Sequence, residues 1–160
     1  MSLDHIRVAA AHVAPVFLDA TATVEKAVGL IAQAAKQGAS LIAFPESFIP
    51  GFPIWTAVHA PIRTHEAFAA FANASVYADG PEILRIRHAA RKHEIFVSMG
   101  FSERNPASIG ALWNSNLLIA DDGNVLVHHR KLVPTFYEKG IRETPMGCGW
   151  PRRGSGESGR

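Results

Sequence analysis

The chain has 160 residues, 48% of them hydrophobic and 19% charged, with a formal net charge of +2. One domain of this length buries roughly 68–70% of the surface its unfolded chain exposes, and the composition excludes a disordered polyelectrolyte. No apolar run approaches the ~20 residues that a helix needs to cross a bilayer, which excludes a membrane-spanning chain of that kind. The charge excess lies after Gly140, where Arg142, Arg152, Arg153 and Arg160 outweigh Glu143 and Glu157. The body is therefore charge-balanced and offers no basic face to nucleic acid. A single cysteine rules out an internal disulfide. The first residues lack a basic segment followed by an apolar core, so a cytoplasmic location is expected.

Ile6 to Val13 is short, apolar and flanked by polar residues, as expected of a strand buried on both faces. Asp19 or Thr21 is a candidate N-cap for a helix whose Val24, Ala27, Val28, Ile31, Ala34 and Ala35 fall at helical spacing until Gly38 supplies a stop. Leu41 to Phe44 reads as a second buried strand that ends at Pro45-Glu46. Ligands of parallel sheets gather at such carboxyl ends.

Pro50, Pro53 and Pro61 predict a rigid loop, followed by a short helix over Glu66 to Asn73. Gly80-Pro81 opens a better helix, with proline at the first helical position, that runs to about His93. Ile95 to Phe101 is a strand. Trp113 to Ala120 and Val125 to Arg130 are two more, joined by Asp121-Asp122-Gly123-Asn124, a hairpin signal. The expected fold is α/β with a mixed sheet over residues 1–139. From 140 to 160 six glycines, four arginines and two prolines break every period, and an unstructured tail is expected. Gly154 to Gly159 matches the letters of a dinucleotide-binding loop by chance, with no strand before it and no helix after it.

Glu46 follows a buried strand and lies between Phe44 and Phe48. A carboxylate in such a neighbourhood loses hydration, its pKa rises, and it becomes a competent general base near neutral pH. The plain alternative is a loop or capping glutamate. Lys131 ends the second hairpin strand, seven residues before Glu138, with Pro134 turning the chain between them. An ammonium held by a carboxylate stabilises negative charge developing on a substrate atom; the alternative is a solvated surface pair of little energetic consequence. Ser47 lacks the Gly-x-Ser-x-Gly turn of a serine nucleophile. His65-Glu66 lacks a second histidine at helical spacing, and His128 and His129 point to opposite faces of a strand, so no metal or other cofactor is expected.

The stretch Gly38 to Pro53 is similar, residue for residue, to the glutamate signature of the nitrilase and cyanide hydratase branch of the carbon-nitrogen hydrolase (nitrilase) superfamily, with Phe52 where tyrosine is usual. Asn114, His129-Arg130-Lys131-Leu132, Pro134-Thr135 and Glu138 resemble that branch's lysine segment. The resemblance covers about residues 5 to 139. It implies the first half of an α-β-β-α sandwich and a cysteine that attacks a nitrile carbon, giving a carboxylic acid and ammonia. Glu46 would be the general base, Lys131 the stabiliser of the anionic intermediate, and Glu138 the group that orients Lys131 or a water. Phe52, Trp55 and Tyr137 are candidate walls of the substrate site, though equally plain core aromatics.

The same resemblance implies a small-molecule nitrile as substrate, a homo-oligomer in the intact family, and no nucleic acid or membrane partner. An amidase or a cyanide hydratase would use the same residues. The family's cysteine sits on a strand-to-helix turn, whereas the cysteine here, Cys148 in Met-Gly-Cys-Gly-Trp-Pro, has no strand before it and is not assigned as nucleophile. The expectation is therefore of a chain interrupted or frame-shifted before its nucleophile and inactive alone, or one that co-assembles with an intact homologue.

Overall fold

A computed structural model describes residues 5–135 and 138–142. The fold begins with strand β1 (Val8–Ala10), helix α1 (Ala20–Lys36) and strand β2 (Leu41–Ala43), with β1 and β2 parallel. Of the two candidate caps for α1, Asp19 is the one used: its Oδ1 accepts from the Ala22 amide at 2.8 Å. Side-chain capping of this kind satisfies an amide that the first helical turn leaves orphaned. The helix ends at Gly38, whose φ of +77° lies in the left-handed region that glycine enters without steric cost.

After a loop come a short helix α2 (Trp55–Val58), helix α3 (His65–Ala74) and helix α4 (Pro81–His93). Strand β3 (Phe96–Asn105) then lies parallel to β2, and β4 (Ser108–Ile119) and β5 (Val125–Arg130) complete an antiparallel meander. The result is one mixed sheet in the order β1-β2-β3-β4-β5. Helices α1 and α4 cover one face, where Val24, Ala27, Ile31, Ile83 and Ile86 meet Ile42, Val97, Met99, Leu117 and Ile119. On the other face Leu41, Phe96 and Leu118 are only partly buried.

Two expectations need correction. The first strand is shorter than Ile6 to Val13 and is not buried on both faces: Val8 is 65% exposed. Among the described residues it pairs only with β2, and an edge strand retains solvent contact however apolar its residues are. The hairpin arms β3 and β4 also extend well beyond Phe101 and Trp113. Ser102, Glu103, Asn114 and Ser115 are polar yet buried inside them, because they meet other polar groups rather than aliphatic core. The Asp121–Asn124 turn forms as read, with Gly123 at φ +83° and its amide donating to the Ala120 carbonyl at 2.9 Å.

The segment after β2 is locked against β3. The Phe44 amide donates to the Ser98 carbonyl at 2.8 Å and the Ser102 amide to the Ile49 carbonyl at 2.7 Å. Gly100 permits this close approach, since a Cβ there would overlap the Pro45 carbonyl oxygen and come within 2.9 Å of the Glu46 Cα. Gly100→Ala is expected to lower stability by about 1–3 kcal/mol, the usual penalty of overpacking. Urea unfolding measures this, and an unchanged midpoint would mean that the Pro45–Glu46 turn can back away.

Candidate active site

Three segments converge at the carboxyl end of β2. Glu46 lies on the turn that follows this strand, Asn114 projects from β4, and Lys131 is the first residue beyond β5, its amide donating to the Asn114 carbonyl at 2.7 Å. A 3₁₀ turn, Glu138–Gly140, brings the Glu138 carboxylate in from the side. Lys131 Nζ donates to Glu46 Oε1 at 3.0 Å and to Glu138 Oε2 at 2.7 Å. Asn114 Nδ2 donates to the same Glu46 Oε1 at 2.5 Å and to Glu138 Oε1 at 2.9 Å. Residues far apart in the chain thus form one network, and Glu46, Gly100, Asn114, Asn116, His129 and Lys131 line a cleft of about 340 Å³ beside it.

The two glutamates differ in surroundings. Glu138 is fully buried and accepts from five donors: Asn114, Lys131, the Thr135 amide and hydroxyl, and Arg142. Burial alone would raise its pKa, but the Lys131 and Thr135 hydrogen bonds and the Arg142 charge outweigh it and hold the carboxyl at about 2. The Glu46 side chain is 49% exposed. The dehydration expected from Phe44 and Phe48 is not found, because those rings turn into the core, 5.0 Å apart, while the carboxylate turns to the cleft. Its Oε1 is occupied by Lys131 and Asn114, and its Oε2 accepts from no group among the described residues.

Lys131 is 28% exposed, and burial works against its charge. The hydrogen bonds of Glu138 and Glu46 more than compensate and raise its pKa, so the ammonium stays protonated. It is not the solvated surface pair that spacing alone allowed.

Arg142 was placed by sequence reading in the tail, yet it is 4% exposed, and Ile141 beside it joins a second core cluster with Trp55, Phe71, Ala72 and Leu112. Its guanidinium donates to Glu138, to Ser47 Oγ at 2.6 Å and to Ser102 Oγ at 2.8 Å. Burial lowers its pKa, and the Glu138 charge opposes that shift. Ser47, at φ +52°, faces Arg142 and lies buried away from the cleft. Nothing in a Gly- and Arg-rich context signals such a role; only the three-dimensional contact does.

Trp55 sits in the second core cluster, edge-on to Phe71 at 5.1 Å and to Phe17 at 6.1 Å. Phe52 is 38% exposed. Neither lines the cleft beside Glu46. Tyr137 and Cys148 lie outside the described residues. His129 faces the cleft and His128 the opposite side of the sheet, as alternation along a strand requires.

The network makes a pH dependence testable. A carboxyl held at about 2 in the fold and near 4.5 when unfolded contributes stability that is fully present above pH 4.5 and lost as pH falls toward 2. Glu138→Gln is expected to cost roughly 3–5 kcal/mol at pH 7, because it leaves the buried Arg142 guanidinium without its counter-charge. The variant should also lose less stability than the parent between pH 4.5 and 2. Urea unfolding across that range is the measurement, and parallel pH profiles for the two proteins would contradict it.

The carbon-nitrogen hydrolase family model matches residues 7–154. Among curated proteins the chain is 41% identical over 136 residues to an arylacetonitrilase of Hypocrea virens, covering 85% of this chain and 40% of that protein. It is 42% identical to a bromoxynil-specific nitrilase of Klebsiella pneumoniae subsp. ozaenae, covering 83% and 37%. It is 39% identical to a cyanide hydratase of Stereum hirsutum, covering 87% and 41%. The chain thus spans about two fifths of the length of these relatives. Among solved structures, an amidase from Nesterenkonia sp. shares the fold with a TM-score of 0.63 at 20% identity, over 92% of this chain and 51% of that one. A match across nearly the whole chain, with identity of about two fifths to several nitrile-converting enzymes, leads to one conclusion: this chain belongs to the carbon-nitrogen hydrolase family.

Proposed function

We propose that the cleft beside Glu46 and Lys131 serves hydrolysis of the carbon–nitrogen bond of a small nitrile, giving a carboxylic acid and ammonia. The observation that carries this reading is the arrangement around one ammonium. Lys131 is held between two carboxylates, one buried and saturated, the other open to the cleft with an oxygen that accepts from no group among the described residues. The first fixes the cation, and the second is a proton acceptor.

In this reading a cysteine thiol gives its proton to Glu46 Oε2 and the sulfur attacks the nitrile carbon, forming a thioimidate as the Glu46 carboxyl passes that proton to the nitrogen. Lys131 places positive charge beside the nitrogen as it gains electron density. Water then adds to the thioimidate carbon, ammonia leaves, and a second water hydrolyses the thioester to the acid and restores the thiol. Glu138 orients Lys131. It has five donors already, so activation of water falls to Glu46. The cysteine is supported by analogy: in a Glu-to-Gln mutant of an amidase from Nesterenkonia sp. AN1 the active-site cysteine takes covalent addition of the acetamide moiety of fluoroacetamide. Cys148, the single cysteine of this sequence, lies outside the described residues.

The cyanide hydratase relatives favour a second outcome from the same residues, release of the amide without further hydrolysis. Product analysis separates the two, because only the acid route liberates ammonia. With a panel of aliphatic and aromatic nitriles, Glu46→Gln is expected to reduce turnover by ~10²–10⁴-fold, the usual contribution of a positioned general base. Lys131→Met should cost ~10²–10³-fold, as for loss of one electrostatic stabiliser. Cys148→Ala abolishes turnover if that thiol is the nucleophile and leaves it intact if it is not. Turnover unaffected by either Glu46→Gln or Lys131→Met would overturn the assignment.

A further inference from the structure

On the helix-covered face of the sheet, opposite the cleft, lies a second charge network that the proposed chemistry does not use. Glu103 of β3 is 2% exposed. Its Oε2 accepts from Ser115 Oγ at 2.5 Å, from His128 Nε2 at 2.8 Å and from Arg130 Nε at 3.1 Å, while its Oε1 accepts from Arg130 Nη2 at 2.6 Å. Burial raises its pKa, but the hydrogen bonds from His128, Arg130 and Ser115 prevail and hold it at about 2. The Arg130 guanidinium also lies 3.7 Å above the Trp113 ring centroid. One carboxylate and one guanidinium therefore tie together β3, β4 and β5.

The strand so tied is otherwise weakly held. Val125, Leu126 and Val127 are 38%, 56% and 49% exposed, and among the described residues no strand pairs with the outer side of β5. An edge strand without a buried apolar face frays at its ends unless something specific anchors them. Arg130 is its last residue, and Lys131 follows directly. The two side chains point to opposite faces, so the clamp on Arg130 and the ammonium of Lys131 share one piece of backbone. Beyond this clamp the end of β5 is held by its ladder to β4, where Arg130 pairs with Ser115 and the Lys131 amide donates to the Asn114 carbonyl at 2.7 Å.

We infer that Glu103 and Arg130 are positioning residues for Lys131: the buried carboxylate and the part-exposed guanidinium on one face pin the end of β5 so that the ammonium on the other face meets Glu46 and Glu138. As a catalytic statement this rests on the function proposed above; as a structural one it does not. A guanidinium suits the task because its fork engages both carboxylate oxygens while its plane stacks on the indole, which a lysine does not reproduce.

The test uses Glu103→Gln, which keeps the side chain's shape, and Arg130→Met, which keeps its reach over Trp113 without the charge. Proton titration of Lys131 followed by carbon NMR, and exchange of its backbone amide, report the placement directly. Methyl signals of Val97 and Ile119 report the core. In both variants the Lys131 pKa is expected to fall toward the ordinary lysine range and its amide to exchange faster, with core signals retained. The turnover number on a nitrile should drop by about 10²-fold with KM little changed, as for a misplacement near 1 Å. A folded variant with unchanged Lys131 titration and amide exchange overturns the inference. Loss of the core signals in both variants also overturns it, since the pair would then serve the fold at large. If the parent protein turns over no nitrile while Lys131 still shifts, the positioning role stands and the hydrolase reading fails.

Discussion

The fully buried carboxylate of Glu138 is the constraint around which the site is arranged. An isolated carboxylate at that depth would be strongly disfavoured, and it persists because Lys131, Asn114, Arg142 and Thr135 each direct a donor at it. Those donors come from the end of β5, the middle of β4, the segment after the 3₁₀ turn and the Pro134 turn. Satisfying one charge therefore brings four pieces of chain to one point. The consequence reaches Glu46: the same amide and the same ammonium that serve Glu138 also hold Oε1 of Glu46, leaving the other oxygen toward the cleft.

This division explains why two carboxylates near one ammonium are not redundant. The saturated one is electrostatic scaffolding and keeps the ammonium charged; the half-exposed one keeps in an open cleft an oxygen without a donor among the described residues. On the opposite face of the sheet Glu103 repeats the same physics with Arg130 and His128. Adjacent residues of one edge strand thus feed two ion networks, because alternation sends Arg130 and Lys131 to opposite sides. The sheet is the rigid layer between them.

Much of the scaffold was legible because its signals are local. Proline at the start of α4, the aliphatic spacing of α1 and the Asp-Asp-Gly-Asn turn each act over a few residues, and each element appears where the pattern places it. The edge position of β1 was not legible, since an apolar run reads alike whether it has one neighbour or two. The polar end of β3 was equally opaque: Ser102 and Glu103 resemble loop residues until their partners, up to 40 positions away in the case of the Arg142–Ser102 bond, are placed.

The family signature around Glu46 and Lys131, the order of strands and helices, and the spacing that lets a turn separate Lys131 from Glu138 are all written in local stretches of residues. These follow from side-chain size, backbone freedom and periodicity, which act at short range. Long-range packing instead sets Glu46 toward solvent rather than the Phe44–Phe48 core, packs Trp55 against Phe71, and buries Arg142 beneath the site. Those outcomes depend on burial and charge pairing between distant segments, and such interactions exist only once the chain has closed on itself.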